Sequence, residues 1–465
     1  MESAKAVLDF IAYLTQMVKR IFEAIEGFGQ TYDARSLEAF VEQQAKALGA
    51  VILETGWRLR MSDAQRPRSM PCSCGRRQHY IGPRPRALTS VLGVIEMPER
   101  HYYQCDQCGA VGYFGDDLRG ESDFSQLAEE RIAIAGKDMS FQKAATNLSR
   151  LGVLKVAAST VRNVCVRVGA RIRQKLDDEA ARQHTPDAPK AEEHSENLAV
   201  AADGIMLGRV DPQHRRRKSR KTGRKVRNKT ALQHFFHEVK TLVVFNFNHC
   251  GEALRKTFHA TQERVEQFRE KVSLEALKRG VEKAKKLVFL GDGAPWIWKT
   301  AEELFPNAIQ ILDWYHAVEH LWQAGRARFG SREKELWAWV KTVEQHLWEG
   351  QLEALIDALK ENAKALGAPN PSLSDTAKAV DPRWIAHRTV GYFEENRARM
   401  NYPDYRDKGL PIGSGVVESG CKHVVADRLK RTGMRWDEPG AENILALRCH
   451  DLNGRWDSVW TAKTA

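Results

Sequence analysis

The chain has 465 residues, 42% of them hydrophobic, too long for one ordinary compact domain and ample for about three units with real cores. Lys and Arg outnumber Asp and Glu by 72 to 60, a formal net charge of +12, which favours a polyanionic partner because cationic side chains displace condensed counterions from phosphates. No stretch approaches the ~18 apolar residues that span a bilayer and no secretory signal is read, so the expectation is a cytosolic chain with no membrane partner, whose eight cysteines stay reduced.

Residues 1–65 read as an N-terminal helical region, with Val7, Phe10, Ile11, Leu14, Val18, Ile21, Phe22 and Ile25 at helical spacing. The character changes at 66–120. There Cys72-Ser-Cys74-Gly75 precedes Cys105-Asp-Gln-Cys108-Gly109 by an interval of 30 residues. Four thiolates suit tetrahedral zinc, and two close pairs let one ion staple two turns. A glycine after each pair permits the positive-φ turn in which backbone N–H groups face the sulfurs. With Ala87 to Ile95 and Arg100 to Tyr103 as a hairpin between the pairs, a zinc ribbon holding one structural Zn²⁺ is expected. The first pair is Cys-x-Cys, tighter than usual, which keeps His79 and His101 open as substitute ligands.

Residues 121–185 return to helical periodicity. Ser140 to Arg150 forms a short helix with Phe141, Ala144, Ala145 and Leu148 on one face. After a turn through Gly152, Ser159-Thr160 can cap a helix through Val161, Val164, Cys165, Val168 and Ile172. Arg162, Asn163, Arg167 and Arg171 lie off that apolar stripe, free for phosphates and base edges, as in a helix-turn-helix; an ordinary helical pair has the same pattern. A polar linker is expected at 186–197.

Four apolar strands follow at 198–210, 234–248, 286–290 and 308–312, with a helix from Trp296 to Leu304, helices across 317–405, and more helices from 416 onward. Strands alternating with helices predict an α/β core interrupted by an all-helical insertion. Three carboxylates stand out. Asp203 lies in an apolar strand, Asp292 ends another between two glycines, and Glu418 sits in the first turn of a helix after Gly413-Ser414-Gly415. Each alone reads as a turn acid, a strand-end acid or a helix N-terminal acid. Together they suit two Mg²⁺ or Mn²⁺ ions, because hard oxygen ligands favour these cations and the cations offset the desolvation of buried acids. Asp427 and Glu442 compete for the third place; on one straight helix Asp427 would point about 180° from Glu418.

The segments ADG (202–204), GDGAPWIW (291–298), DWYH (313–316) and PIGSGVVESGCKHVVADRLKRTGMRW (411–436) resemble the Kra-type bacterial insertion-sequence transposases, more distantly the Mutator-like elements. The resemblance covers nearly the whole chain. It implies a DDE transposase with a ribonuclease-H-like core, in which Asp203, Asp292 and Glu418 are the catalytic, metal-binding residues. It also implies a supporting Asp313-x-x-His316 pair and a helical insertion at 317–405.

From His214 to Lys229 ten of sixteen residues are Lys or Arg, including Arg215, Arg216, Arg217 and Lys218, expected as a basic hairpin along DNA. Lys422, Arg428, Lys430, Arg431 and Arg435 form a second basic stripe beside Glu418. The resulting expectation is a core at 198–316 and 406–450, split by the insertion, preceded by helical, zinc-ribbon and helix-turn-helix units. Its partners would be double-stranded DNA, both element terminal inverted repeats and target, and further copies of the chain in a homodimer or larger assembly at the nucleoid. A structure-selective nuclease on the same fold and a non-enzymatic regulator derived from a transposase are the rival readings.

Overall fold

A computed structural model describes residues 2–27, 33–63, 66–114, 123–210, 217–218, 225–226, 235–413 and 415–461. The chain is mixed α/β and divides into two compact units, residues 1–167 and 168–465. Among the described residues no helix is long and apolar enough to cross a membrane.

In the first unit, helices α1 (Glu2–Gly27) and α2 (Ala34–Asp63) precede a four-stranded antiparallel sheet. Its strands β1 (Ser69–Pro71), β2 (Arg77–Ser90), β3 (Gly93–Gln104) and β4 (Val111–Phe114) lie in sequence order. The expected hairpin is the long β2–β3 pair, closed where Ser90 faces Gly93. Trp57 of α2 packs on Leu88 and Ile95 of that hairpin, all three buried. Helix α3 (Gln126–Asp138) is capped by Ser125, whose side chain accepts from Ala128 N; α4 (Phe141–Arg150) is capped likewise by Ser140. Gly152 makes the turn at φ 67°. Helix α5 (Ala158–Ala181) opens at Ala158, so Ser159 and Thr160 lie inside its first turn instead of capping it.

The second unit takes up the rest of α5 and builds a five-stranded sheet. Its strands are β5 (Asn197–Arg209), β8 (Phe235–Phe247), β9 (Ala253–Thr261), β10 (Lys286–Gly291) and β11 (Ile309–Leu312). Between the first two, β6 (Arg217–Lys218) and β7 (Lys225–Val226) pair with each other. The sheet order is β11-β10-β5-β8-β9. β5, β8 and β9 form an antiparallel meander, while β10 and then β11 add parallel to β5. Val, Leu, Ala and Phe runs in β5, β8 and β10 are wholly buried, as strands covered on both faces must be.

Strand β9 is absent from the sequence expectation. Arg255 and Lys256 interrupt its apolar pattern, and it is an edge strand, where cations discourage pairing with other chains.

Helices α6 (Val265–Lys278) and α7 (Pro295–Leu304) flank β10 in the chain. The segment expected as an insertion is helical, through α8 (Trp314–Phe329), α9 (Glu333–Trp348), α10 (Leu352–Leu366), the short α11 (Asp375–Lys378) and α12 (Pro382–Glu395). After α13 (Tyr402–Asp407) comes α14 (Gly415–Gly420), which passes into a π-helical run, Cys421–Ala426, and returns to α-geometry in α15 (Asp427–Leu429). The straight helix assumed for Glu418 and Asp427 is therefore broken. Finally α16 (Glu438–Leu452) lies along β9, and Asn453 after it accepts from Phe258 N at 2.7 Å and donates to Phe258 O at 2.9 Å.

Helix α5 reaches α16 only because position 169 is glycine. A Cβ there would overlap the carbonyl of Asn443, a backbone atom that cannot move aside. Gly169→Ala is expected to destabilise the second unit by about 1–3 kcal/mol or more through overpacking, read as a lower midpoint in chemical denaturation.

Candidate active site and metal centre

The four cysteines expected to bind metal converge in the first unit. Cys72 and Cys74 sit in the turn from β1 to β2, Cys105 and Cys108 in the turn from β3 to β4. Their sulfurs all lie within 4.8 Å of one another, with contacts of 3.5, 3.5 and 3.6 Å. A tetrahedral ion with Zn–S near 2.3 Å requires sulfurs about 3.8 Å apart, so the group can hold a metal ion such as zinc. Each pair has the same backbone: Gly75 N donates to Cys72 O and Gly109 N to Cys105 O. Both glycines have positive φ, 83° and 70°. The Cys74 N–H directed at Cys72 pulls its thiol down to about 6, toward the thiolate that a metal needs, while hydrogen bonds to Cys72 raise its neighbours Cys74 and Cys108. His79 pairs instead with Asp106 at 3.8 Å, and His101 packs between Tyr80 and Phe114, so neither substitutes as a ligand.

The carboxylates belong to the second unit, where strand register brings them into line. Gly291 of β10 faces Ala202 of β5, and Leu312 of β11 faces Gly291. The next residue in each strand direction is an aspartate: Asp203, Asp292 and Asp313. Three acids thus occupy one level on three adjacent parallel strands, Asp203 within β5 and the other two just past the ends of β10 and β11, each about 4.8 Å from the next across the sheet.

Their surroundings differ. Asp203 accepts from Gly204 N at 2.6 Å and from the Cys421 thiol at 3.3 Å. Burial, and then the charge of Asp292, raise its carboxyl above the ordinary range. Asp292 accepts from Ala294 N at 2.8 Å, while its main-chain carbonyl accepts from Tyr392 OH at 2.8 Å. Asp313 is fully buried and caps α8, accepting from His316 N at 2.8 Å and meeting His316 Nδ1 at 3.2 Å. That hydrogen bond, against the opposing effect of burial, raises His316 to about 9, helped by the charges of Asp313, Asp203 and Asp292. His316 is therefore an imidazolium at neutral pH, set among the acids.

Glu418 is exposed in the first turn of α14. Three residues on, across one helical turn, Cys421 touches Asp203. Burial and the Asp203 carboxylate raise the Cys421 thiol, so it stays protonated and donates. The approach to α14 is tied to the start of α8: Trp314 N donates to Ile412 O at 2.9 Å, and a Cβ on Gly413 would come within 2.7 Å of the Tyr315 ring. Ser414 lies outside the described residues. Among the described residues only the four cysteines form a ready-made group that could hold a metal ion. The competing acids have other partners. Asp427 pairs with His423 at 3.0 Å, and Glu442 is buried, accepting from Thr261 Oγ1 at 2.8 Å and Gln262 N at 2.5 Å.

Among the residues expected to meet DNA, Asn163, Lys422, Lys430, Arg431 and Arg435 are exposed and Arg162 is half-buried. Two depart from expectation. Arg167 turns inward to Glu129 at 2.9 Å, an acid 1% exposed. Arg428 is itself buried at 1% exposure, its guanidinium over the Trp436 ring. Arg428 supports packing where the sequence pattern placed it on open surface, while Arg167 is half-buried in an ion pair. Arg215 and Arg216 lie outside the described residues. The backbone of Arg217 and Lys218 pairs antiparallel with Lys225 and Val226, as a hairpin requires.

Sequence reasoning missed two contributors. Cys421 is a lone cysteine in a helix, and Tyr392 reaches the site from α12 in the insertion, its ring 4.0 Å from that of His320. Gly293 at φ 106° leaves room for Tyr392, whose ring lies 2.5 Å from where a Cβ would be.

With this geometry in hand, the chain is assigned by comparison. It belongs to the uncharacterised protein family UPF0236, whose model matches residues 74–463. A search of the curated proteins finds no match.

Two measurements test these sites. Native mass spectrometry should find one zinc per chain, lost in Cys105→Ser, with the second unit still folded. In a metal-free NMR titration His316 should show a midpoint near 9, returning toward about 6.5 in Asp313→Asn. Because its folded value is raised, the stability it contributes is complete below about pH 6.5 and is lost as pH rises through about 9.

Proposed function

We propose that this chain is a DNA transposase of the DDE type, which cleaves the ends of an insertion sequence and joins the freed 3′-hydroxyls to target DNA by phosphoryl transfer. The observation that carries this reading is the sheet order read from β9 to β11. A three-stranded antiparallel meander, extended by two parallel strands beside its first strand, is the arrangement of ribonuclease-H-like cores. The acids fall on that frame at the first strand (Asp203), at the end of the fourth (Asp292) and on a late helix (Glu418).

Asp203, Asp292 and Glu418 would hold Mg²⁺ or Mn²⁺. The donor set fits, being all hard carboxylate oxygen, and a cation there would favour the ionised form of Asp203, which burial and the charge of Asp292 disfavour. Such ions supply activation of the attacking oxygen and stabilisation of the leaving oxygen of a phosphodiester. The chain's own residues do the rest. Asp313 fixes the ring of His316, and the imidazolium partly offsets the row of acids. Lys422, Lys430, Arg431 and Arg435, exposed around the Glu418 helix, can neutralise phosphates of the strand held there. The 214–229 segment adds a sequence-independent hold on double-stranded DNA. The zinc ribbon and the α4–α5 helix-turn-helix would recognise the terminal inverted repeats. Two ends must be brought together, so the working form is a homodimer or larger, on the nucleoid.

The deciding experiment is a plasmid carrying the coding sequence with its native flanking DNA, scored for cleaved ends and joined 3′ ends. Glu418→Gln keeps shape and hydrogen bonding but removes charge, and should lower both products by about 10²–10³-fold or more with binding to the flanking DNA intact. Cutting without joining would turn the reading to a nuclease. Transposition by Glu418→Gln but not by Asp427→Asn would move the third acid.

A further inference from the structure

We propose that Cys421 is a positioning residue, the middle member of a Thr241–Cys421–Asp203 relay that fixes the Asp203 carboxylate for metal. The proposal rests on the reading of Asp203 as a metal-binding acid. One Asp203 oxygen is held by Gly204 N at 2.6 Å and the other by the Cys421 thiol at 3.3 Å. Together they pin the side-chain torsion while leaving a lone pair on each oxygen.

The relay continues behind the cysteine. Thr241 faces Asp203 in the β5–β8 ladder and is fully buried. Its hydroxyl has no hydrogen-bond partner among the described residues, and the Cys421 thiol lies beside it. A buried hydroxyl is costly unless it bonds, and the thiol is the acceptor on offer.

Two features of the helix deliver the thiol. A Cβ at Gly420 would lie 2.7 Å from Val243 Cγ2, so a larger residue would lift the helix off β8. The π-helical run begins at Cys421 itself, and such wide turns recur at functional sites. Cysteine also suits the role because soft sulfur competes poorly with carboxylate for Mg²⁺ or Mn²⁺. It can steer Asp203 without taking its place. Since Glu418 is on the same helix, the contact also ties the third acid's helix to the first acid.

The test uses the full chain and Mn²⁺ alone, without DNA, with free Mn²⁺ counted by electron paramagnetic resonance. Asp203→Asn defines the uptake that depends on the carboxylates. Cys421→Ala should weaken that uptake by about 10-fold, the usual scale for losing a residue that orients a ligand. Cys421→Ser, which still donates, should restore most of it, and Thr241→Val should weaken it in the same direction. DNA affinity should be unchanged in all three. Native Mn²⁺ affinity in both Cys421→Ala and Thr241→Val, with Asp203→Asn abolishing uptake, overturns the relay alone. Should Cys421→Ala fail to fold, Thr241→Val decides: weaker uptake supports the relay and native uptake overturns it. If the native chain shows no Asp203-dependent uptake, the reading of the carboxylates fails and the relay falls with it.

Discussion

The second unit is organised around an unfavourable interaction: three aspartates held at one level on adjacent strands. Parallel pairing of β5, β10 and β11 leaves no choice in this, since the register that buries Ala202, Gly291 and Leu312 side by side sets their successors side by side too. Burial, and then the charge of Asp292, raise the Asp203 carboxyl above its ordinary range. His316, with its charge stabilised by Asp313, offsets part of the repulsion from within the same sheet end. The remainder is the physical basis for expecting a cation.

Several elements outside the sheet serve this row. From the insertion side, Tyr392 OH donates to the carbonyl of Asp292, and Tyr402 OH to that of Leu312 at 3.0 Å. Carbonyls at strand ends lack ladder partners and must find donors when buried; here tyrosines supply them. Trp298 of α7 donates to Asn396 Oδ1 at 2.8 Å, just beyond α12. The helices between α8 and α13 therefore act as a buttress for the loop after β10, whatever other surface they present.

Much of this was legible in the sequence, and the reasons are local. Paired cysteines with following glycines specify their own turns. Strands β5, β8, β10 and β11 show as apolar runs because the sheet buries them on both faces. The row of acids was not legible: positions 203, 292 and 313 carry no common spacing, and register is decided only when strands meet. Asp313 consequently read as a neighbour of His316, although it is the third member of the row. The misplacement of Arg428 has a similar origin. Each π-type turn contains an extra residue, so a helical wheel drawn through Glu418 loses phase after Cys421, and a buried arginine looks exposed. The ion pair of Arg167 was not legible because its partner, Glu129, lies on a different helix.

The shielding of β9 bears on the order in which the chain can mature. Its amide and carbonyl at Phe258 are both occupied by Asn453, a residue 195 positions later. Synthesis runs from the N-terminus at about 5–20 residues per second, so the meander leaves the ribosome well before its cover. For that interval an open strand edge invites pairing with neighbouring nascent chains. The cations of Arg255 and Lys256 are already in place on that strand, and they guard it until the last helix arrives.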